Sequence, residues 1–218
     1  MKRVAIVFLG VVLALAGCTT ASHEPRNLDA LKDEIRAYVR SGAHDREVAA
    51  VAAQAKAWIE TRAAQRRAGE RLAVVIDLDE TLLSNLPFML EQDLGGSDAA
   101  WEAWQGAGQD AAIGPVREVY RAARRVGVEV IFLTGRREHL RAATEKNLRA
   151  IDCGDYGALV CKPEAWKGSA AEYKAAQRKR LAGEGRTIIA NLGDQDSDLA
   201  GGYAERTFKL PDPFYFTP

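Results

Sequence analysis

The chain has 218 residues, 47% of them hydrophobic and 28% charged, enough apolar content for one core of ordinary size and too much for wholesale disorder. Thirty Lys and Arg balance thirty Asp and Glu, so the formal net charge is zero. No basic excess supports nucleic-acid binding.

The first residues stand apart. Met1-Lys2-Arg3 is a basic start, and Val4 to Ala16 is an apolar stretch too short to span a bilayer comfortably. It fits the hydrophobic region of a secretory signal peptide. It runs into Leu15-Ala16-Gly17-Cys18, which resembles the bacterial lipobox. That resemblance implies a signal peptide over residues 1–17 and acylation at Cys18, with a tether over 18–27 (the alternative is an ordinary secretory signal with an accidental Cys). Several acyl chains anchor firmly, because each buried methylene contributes about 0.8 kcal/mol. Thr19, where an Asp resembles an inner-membrane retention signal, tilts the expectation to a bacterial cell envelope protein, lipid-anchored in the outer membrane and facing the periplasm. Losing residues 1–17 removes Lys2 and Arg3, leaving 28 basic against 30 acidic residues and a mature net charge of −2. In such a compartment Cys153 and Cys161 have two readings, a disulfide or two small buried thiols.

Asn27 is a candidate cap for a helix over 28–40, where Leu28, Leu31, Ile35, Tyr38 and Val39 form an apolar stripe. Ser41-Gly42 breaks it. A second, Ala-rich helix is predicted from about 45 to 68, with Val48, Val51, Ala55, Trp58 and Ile59 on one face. Both are expected to pack on the core, with His44 between them exposed and inert. Leu72-Ala73-Val74-Val75-Ile76 then reads as a strand buried on both faces, as in a parallel sheet. It ends in Asp77-Leu78-Asp79-Glu80-Thr81. Two carboxylates two residues apart at the end of an apolar strand are costly to desolvate unless a cation sits on them. Residues 84–115 form a long insertion, read as a small cap with a short helix near 97–105. Trp101 and Trp104 have helical spacing, and simple packing is one reading. The other is that Phe88, Trp101 or Trp104 lines a substrate pocket and stacks on an aromatic leaving group. Asn85 either hydrogen-bonds substrate or fixes the loop.

Pro115 starts a helix that runs to Val126, and Gly127 closes it. Strand Val128–Leu133 leads into Thr134-Gly135-Arg136. A helix over 138–150, with His139 exposed on its first turn, precedes strand 159–161. Helix 169–181 carries Tyr173, Lys174, Arg178, Lys179 and Arg180, mostly a solvated basic face. Strand 187–192 runs into Gly193-Asp194-Gln195-Asp196-Ser197-Asp198. A last strand near 206–210 precedes the tail Pro211-Asp212-Pro213-Phe214-Tyr215, read as a packed terminus. Alternating strands and helices imply parallel pairing through right-handed crossovers, hence an α/β fold.

Asp-x-Asp-x-Thr, Thr-Gly-Arg, a Lys and Gly-Asp-x-x-x-Asp, in this order, resemble the haloacid-dehalogenase-like (HAD) phosphohydrolases. The phrases VIDLDETLLSN, IFLTGR, EYKAAQR, NLGDQDSDL and KLPDPFY resemble the class B and C acid phosphatase group, with its bacterial lipoprotein and plant vegetative-storage-type members. The likeness covers roughly residue 71 onward. It implies a HAD-like doubly wound, mainly parallel sheet with flanking helices over 28–218, N-terminal helices at 28–68 in the accessory cap region, and the cap insertion at 84–115. Such a fold sets the strands ending in Asp77 and Asp194 side by side, at a topological switch point.

The resemblance assigns the chemistry residue by residue. Asp77 is nucleophile and metal ligand, forming an aspartyl-phosphate. Asp79 binds the metal through its backbone carbonyl, and its side chain is the general acid and base. Thr134, with Gly135 and the adjacent amides, holds phosphoryl oxygens. Lys174 neutralises phosphate and nucleophile, chosen over Lys162 and Lys167 because Tyr173-Lys174-Ala175-Ala176-Gln177-Arg178 is similar to the family's Tyr-Lys-Ser-x-x-Arg, although Ala175 departs from the usual Ser. Asp194 completes the metal site, with Asp198 a further ligand or its support and Thr81 alongside. Arg136 is a candidate pocket residue. Asp196 stands where plant relatives often carry Trp, either altering metal affinity or exposed. An oxygen-only donor set without His or Cys suits Mg²⁺ rather than Zn²⁺. The expected activity is a Mg²⁺-dependent acid phosphatase acting on small phosphomonoesters, nucleotides among the candidates. A phosphotransferase and a non-catalytic binding lipoprotein of the same fold are the alternatives.

Overall fold

In the computed structural model of the protein, which describes residues 24–217, the apolar run of the sequence becomes the central strand, β1 (Arg71–Ile76). The other strands of its sheet are β4 (Glu129–Arg137), β5 (Ala158–Lys162), β6 (Arg186–Gly193) and β7 (Thr207–Lys209). They lie in the order β5-β4-β1-β6-β7, all parallel. The chain moves outward from β1 in one direction through β4 and β5 and in the other through β6 and β7. The order therefore reverses between β1 and β6, the switch point where ligands bind in open α/β sheets. The signal peptide, Cys18 and most of the tether lie outside the described residues.

Burial on both faces explains why β1 reads as continuous apolar sequence rather than as an alternation. Leu72, Val74 and Ile76 point into the larger core with α2 (Ala43–Ala64) and α5 (Gly114–Arg125). Ala73 and Val75 point to the opposite face, where α7 (Ala170–Gly183) contributes Tyr173 and Leu181. Fully burying each large aliphatic side chain contributes about 1.5–3 kcal/mol.

Helix α1 (Leu28–Arg40) starts as its sequence dictates: Asn27 Oδ1 accepts from the amides of Asp29 and Ala30 at 3.0 and 3.2 Å. Its partner is not the sheet. Ile35 and Val39 join a satellite cluster with Phe88 and Met89 of α3 (Leu86–Glu91), Trp101 and Trp104 of α4 (Asp98–Ala107), and Phe214 of the tail. So α2 packs on the core as expected, while α1 belongs with the insertion. The insertion is anchored by a two-stranded antiparallel ribbon, β2 (Leu83–Ser84) with β3 (Ala111–Ala112). At the end of α4, Gly108 has φ +59°, and a Cβ there would lie 2.7 Å from the carbonyl oxygen of Ala143 in α6 (Arg141–Ala150). Only glycine permits that approach.

Two expectations need correction, and one open alternative is decided. His44 is buried: its Nε2 lies 3.2 Å from the Pro211 carbonyl oxygen, and its ring packs edge-on to Tyr38 and Phe214. A lone His between two helices gave no sign of the tail that covers it. The second helix stops at Ala64 rather than near residue 68. Cys153 and Cys161 are free, buried thiols, pushed up to about 11 by burial. Among the described residues no helix is long and apolar enough to cross a membrane.

Candidate active site

Two strand ends build the site. Beyond Ile76, the Asp77 amide donates to Leu192 O at 3.0 Å, carrying the β1–β6 pairing one residue further. The chain then turns sharply: Glu80 has φ +52°, and the amides of Thr81, Leu82 and Leu83 all donate to Leu78 O. A non-glycine residue in the left-handed region stores strain that the surroundings must hold. Glu80 is buried, and its carboxylate accepts from the Asn85 amide. Burial, followed by the charges of Asp194 and Asp79, pushes its carboxyl up to about 8 against the Asn85 amide.

The carboxylates of Asp77, Asp194 and Asp198 come together, with oxygens within 4.8 Å of one another and all three residues buried. Asp194 follows β6, and Asp198 lies in the single-turn helix α8 (Asp196–Leu199). Gly193 makes this possible: a Cβ there would collide with the Asp198 carboxylate. Lys174, from α7, donates to Asp77 Oδ1 at 2.5 Å and to Asp198 Oδ1. Burial alone would lower the lysine, but Asp77 and Asp198 outweigh it and hold it charged. Burial pushes Asp77 well up, with Lys174 opposing and Asp198, Asp194 and Asp79 adding to the rise. Three carboxylates against one ammonium leave a surplus of two negative charges in a desolvated place. A divalent cation matches that surplus, and an all-oxygen set suits a hard ion. Among the described residues nothing donates to Asp77 Oδ2; it is the free oxygen of the cluster.

The side chain of Asp79 is elsewhere. Arg136 Nε and Nη2 donate to it at distances from 2.8 to 3.2 Å, and Asn85 Nδ2 at 3.0 Å. Burial raises Asp79, but Arg136 and Asn85 outweigh it and hold the carboxyl below the ordinary range. Arg136, itself buried, also donates to Asp110 Oδ2 at 2.8 Å. Asp110 is pinned by its backbone: its amide donates to Asn147 Oδ1 at 2.9 Å, and its carbonyl accepts from Asn147 Nδ2 at 2.8 Å. Replacing Arg136 by Met would strand two carboxylates, an effect of about 3–5 kcal/mol. We expect Arg136→Met to lower unfolding free energy by that amount and the added Asp110→Asn to restore part of it. A double-mutant cycle by denaturant unfolding measures this; strictly additive effects would contradict the pairing.

These groups open on a cleft of about 470 Å³. Its walls include Asp77, Asp79, Gly135, Arg136, Lys174, Asp194 and Asp198, all singled out by sequence, and Trp101 from the insertion. Thr134 is fully buried just beneath, its Oγ1 accepting from the Arg136 amide at 3.1 Å. Thr81 Oγ1 donates to Asp194 Oδ1 at 3.0 Å. Asp196 is exposed. Phe88 and Trp104 depart from the pocket expectation. They stack on each other 5.5 Å apart within the satellite cluster and are not part of the cleft wall. Trp104 Nε1 instead donates to Asn85 Oδ1 at 3.0 Å, so Asn85 links the insertion to Asp79.

Sequence reading missed the tail. Tyr215, Phe216 and Thr217 line the cleft rather than merely ending the chain. Tyr215 Oη donates to Asp194 Oδ2 at 3.0 Å. Burial and the surrounding Asp charges push the phenol well above 10, so it remains a donor. Gln195 ties the tail down: its Nε2 donates to Asp194 Oδ2 at 2.8 Å and Asp212 Oδ2 at 2.5 Å, and its Oε1 accepts from the Thr217 amide at 3.1 Å. Arg178, read as part of a solvated face, is fully buried and donates to the carbonyls of Asp198, Ala200 and Gly202. It lies four residues after Lys174, hence on the same helix face, a signal present in the sequence.

The order of motifs and the parallel sheet agree with a comparison against known proteins. Residues 14–218 match the family described as HAD superfamily, subfamily IIIB (Acid phosphatase). The chain belongs to this family. Acid phosphatase 1 of Solanum lycopersicum is 36% identical over 147 residues, 65% of this chain and 58% of that protein. Vegetative storage protein 1 of Arabidopsis thaliana is 31% identical over 148 residues, 66% of this chain and 55% of that protein. The chain thus spans less than two thirds of the length of these relatives. The class C acid phosphatase structure from Bacillus anthracis has the same fold, with a TM-score of 0.66 at 19% identity over 85% of this chain and 86% of that one.

Proposed function

We propose that this subfamily IIIB protein is a Mg²⁺-dependent acid phosphatase that hydrolyses small phosphate monoesters through an aspartyl-phosphate at Asp77. One observation carries the reading: Asp77 lies at the end of the central strand, faces the cleft and has an oxygen free of donors, beside Lys174 and two further carboxylates. An anionic nucleophile meets an anionic ester only where the repulsion is cancelled. Asp77, Asp194 and Asp198, with the Asp79 carbonyl, would hold Mg²⁺, which supplies Lewis-acid polarisation of the phosphoryl oxygens and charge compensation. Lys174 and the Gly135 backbone bind phosphoryl oxygens. Asp77 Oδ2 attacks phosphorus as the bond to the leaving alcohol breaks, and Asp79 gives that oxygen a proton. Asp79 then takes a proton from the water that attacks phosphorus, releasing inorganic phosphate and Asp77.

Asp79 is ionised while Arg136 grips it, which suits the second step. For the first it must loosen from Arg136 and carry a proton, a condition favoured at acidic pH. The purified protein should hydrolyse p-nitrophenyl phosphate, fall silent in EDTA and recover with Mg²⁺. Turnover that persists after exhaustive chelation would remove the metal from the proposal; folded protein inert on every monoester would remove the phosphatase.

A further inference from the structure

Four cationic side chains reach the cleft: Arg136, Arg137, Lys162 and Lys174. Two are matched by carboxylates. Lys174 pairs with Asp77 and Asp198, and Arg136 with Asp79 and Asp110. Arg137 and Lys162 form no ion pair among the described residues. They are the last residues of β4 and β5 and sit opposite each other in the strand register. Arg137 Nη1 is held by the carbonyls of Pro163 and Glu164 at 3.2 and 3.4 Å, and its charge is felt by the Glu164 carboxylate only weakly, after that carboxylate's bonds to His139. The nearby Glu164 carboxylate accepts from the amide and Nδ1 of His139, at 3.3 and 2.8 Å. Burial first, then the positive charges of Arg137 and Lys174, push the Lys162 ammonium down; no carboxylate offsets them.

Like charges placed opposite each other on neighbouring strands destabilise a sheet by up to about 1 kcal/mol. Here they face a cleft rather than open solvent, where repulsion is less screened. Such a pair accommodates an anion readily. The transferred phosphoryl has its place already, at Asp77, Lys174 and Gly135. Strand β5 lies two strands from β1, on the order of 10 Å away in the sheet, and the long lysine side chain shortens that gap.

We propose that Arg137 and Lys162 form a subsite for a second anionic group on the leaving portion of the substrate, a carboxylate or a second phosphate a few bonds from the ester. This rests on the phosphatase reading and narrows it to monoesters that carry a second anionic group. Arg137, with a planar fork held by two carbonyls, sets position; Lys162 supplies a movable point charge.

The test compares kcat/KM for two ester pairs in Mg²⁺: 3-phosphoglycerate against sn-glycerol 3-phosphate, and 1,3-propanediol bisphosphate against 3-hydroxypropyl phosphate. Each pair differs in the second anionic group, and the two arms separate carboxylate from phosphate. The expected result is a preference of about tenfold or more for the anionic member of at least one pair, expressed in KM and weakened by salt. Lys162→Ala should shrink this ratio, the added Arg137→Ala should bring it near one, Lys162→Arg should keep it and Lys162→Glu should invert it. A wild-type ratio near one overturns the subsite. So does a ratio that survives the double substitution, or an equal loss on both members, which would make Lys162 a ligand of the transferred phosphoryl. If none of the four esters turns over while p-nitrophenyl phosphate is hydrolysed, the subsite alone is overturned; if p-nitrophenyl phosphate is not hydrolysed either, the phosphatase reading goes with it.

Discussion

Asp77→Asn is expected to lower turnover by about 10⁴-fold or more, the scale seen when a covalent nucleophile is removed. The amide has the shape of the carboxylate but neither its charge nor its nucleophilic oxygen. The fold should survive. Asp77 is one of three carboxylates crowded around a single ammonium, and its carboxyl is pushed up by burial and by its neighbours. A raised folded-state value means that ionised Asp77 works against the metal-free fold above the ordinary carboxylate range, and the neutral amide removes that opposition. Circular dichroism and melting beside p-nitrophenyl phosphate turnover check both halves. Activity above about 1% of the wild type in a folded variant would sink the nucleophile assignment.

Lys174→Met should damage both stability and activity. It leaves Asp77, Asp194 and Asp198 together with no ammonium, and stranding buried charge in this way is worth about 3–5 kcal/mol. The pH dependence has a definite sign. Without Lys174, which opposes the rise at Asp77, the folded-state value of Asp77 goes further above its unfolded one. The deficit is therefore small in acid and grows as pH rises through the carboxylate range. Denaturant unfolding at pH 4, 5 and 8 in EDTA measures it, and a deficit independent of pH would contradict the charge argument. Turnover should fall by about 10²–10³-fold, as when one preorganised charge at a developing transition state is lost.

The local features of this site were legible because they are written over a few adjacent residues. Residues 72–76 alone announce a strand buried on both faces, and the abrupt Asp77-Leu78-Asp79 marks its end as a place where buried carboxylates need positive partners, which for Asp79 is Arg136. The phrase around Lys174 picked, from three lysines, the one whose ammonium the structure brings onto Asp77. Trp101 and Trp104 show the limit of that local reading. Helical spacing put both on one helix, but only contact with Phe88, Asn85 and Tyr215 seated both in the satellite cluster and left Trp101 alone of the two on the cleft wall.

Taken by itself, the sequence determined the family, the parallel sheet and the set of acidic and basic residues at its carboxyl edge, because strand periodicity and short motifs are local properties of the chain. Tertiary structure alone decided which charges meet. Asp79 is given to Arg136, 57 residues away, and Thr81 to Asp194, 113 away. The tail is drawn over the cleft by Gln195, and Arg178 is turned inward to hold the loop of Asp198. Burial makes each of these pairings obligatory, because a desolvated charge or carbonyl must find a partner wherever the fold places one. Which partner that is depends on distances through space, and these follow from the packing of the whole sheet and its helices.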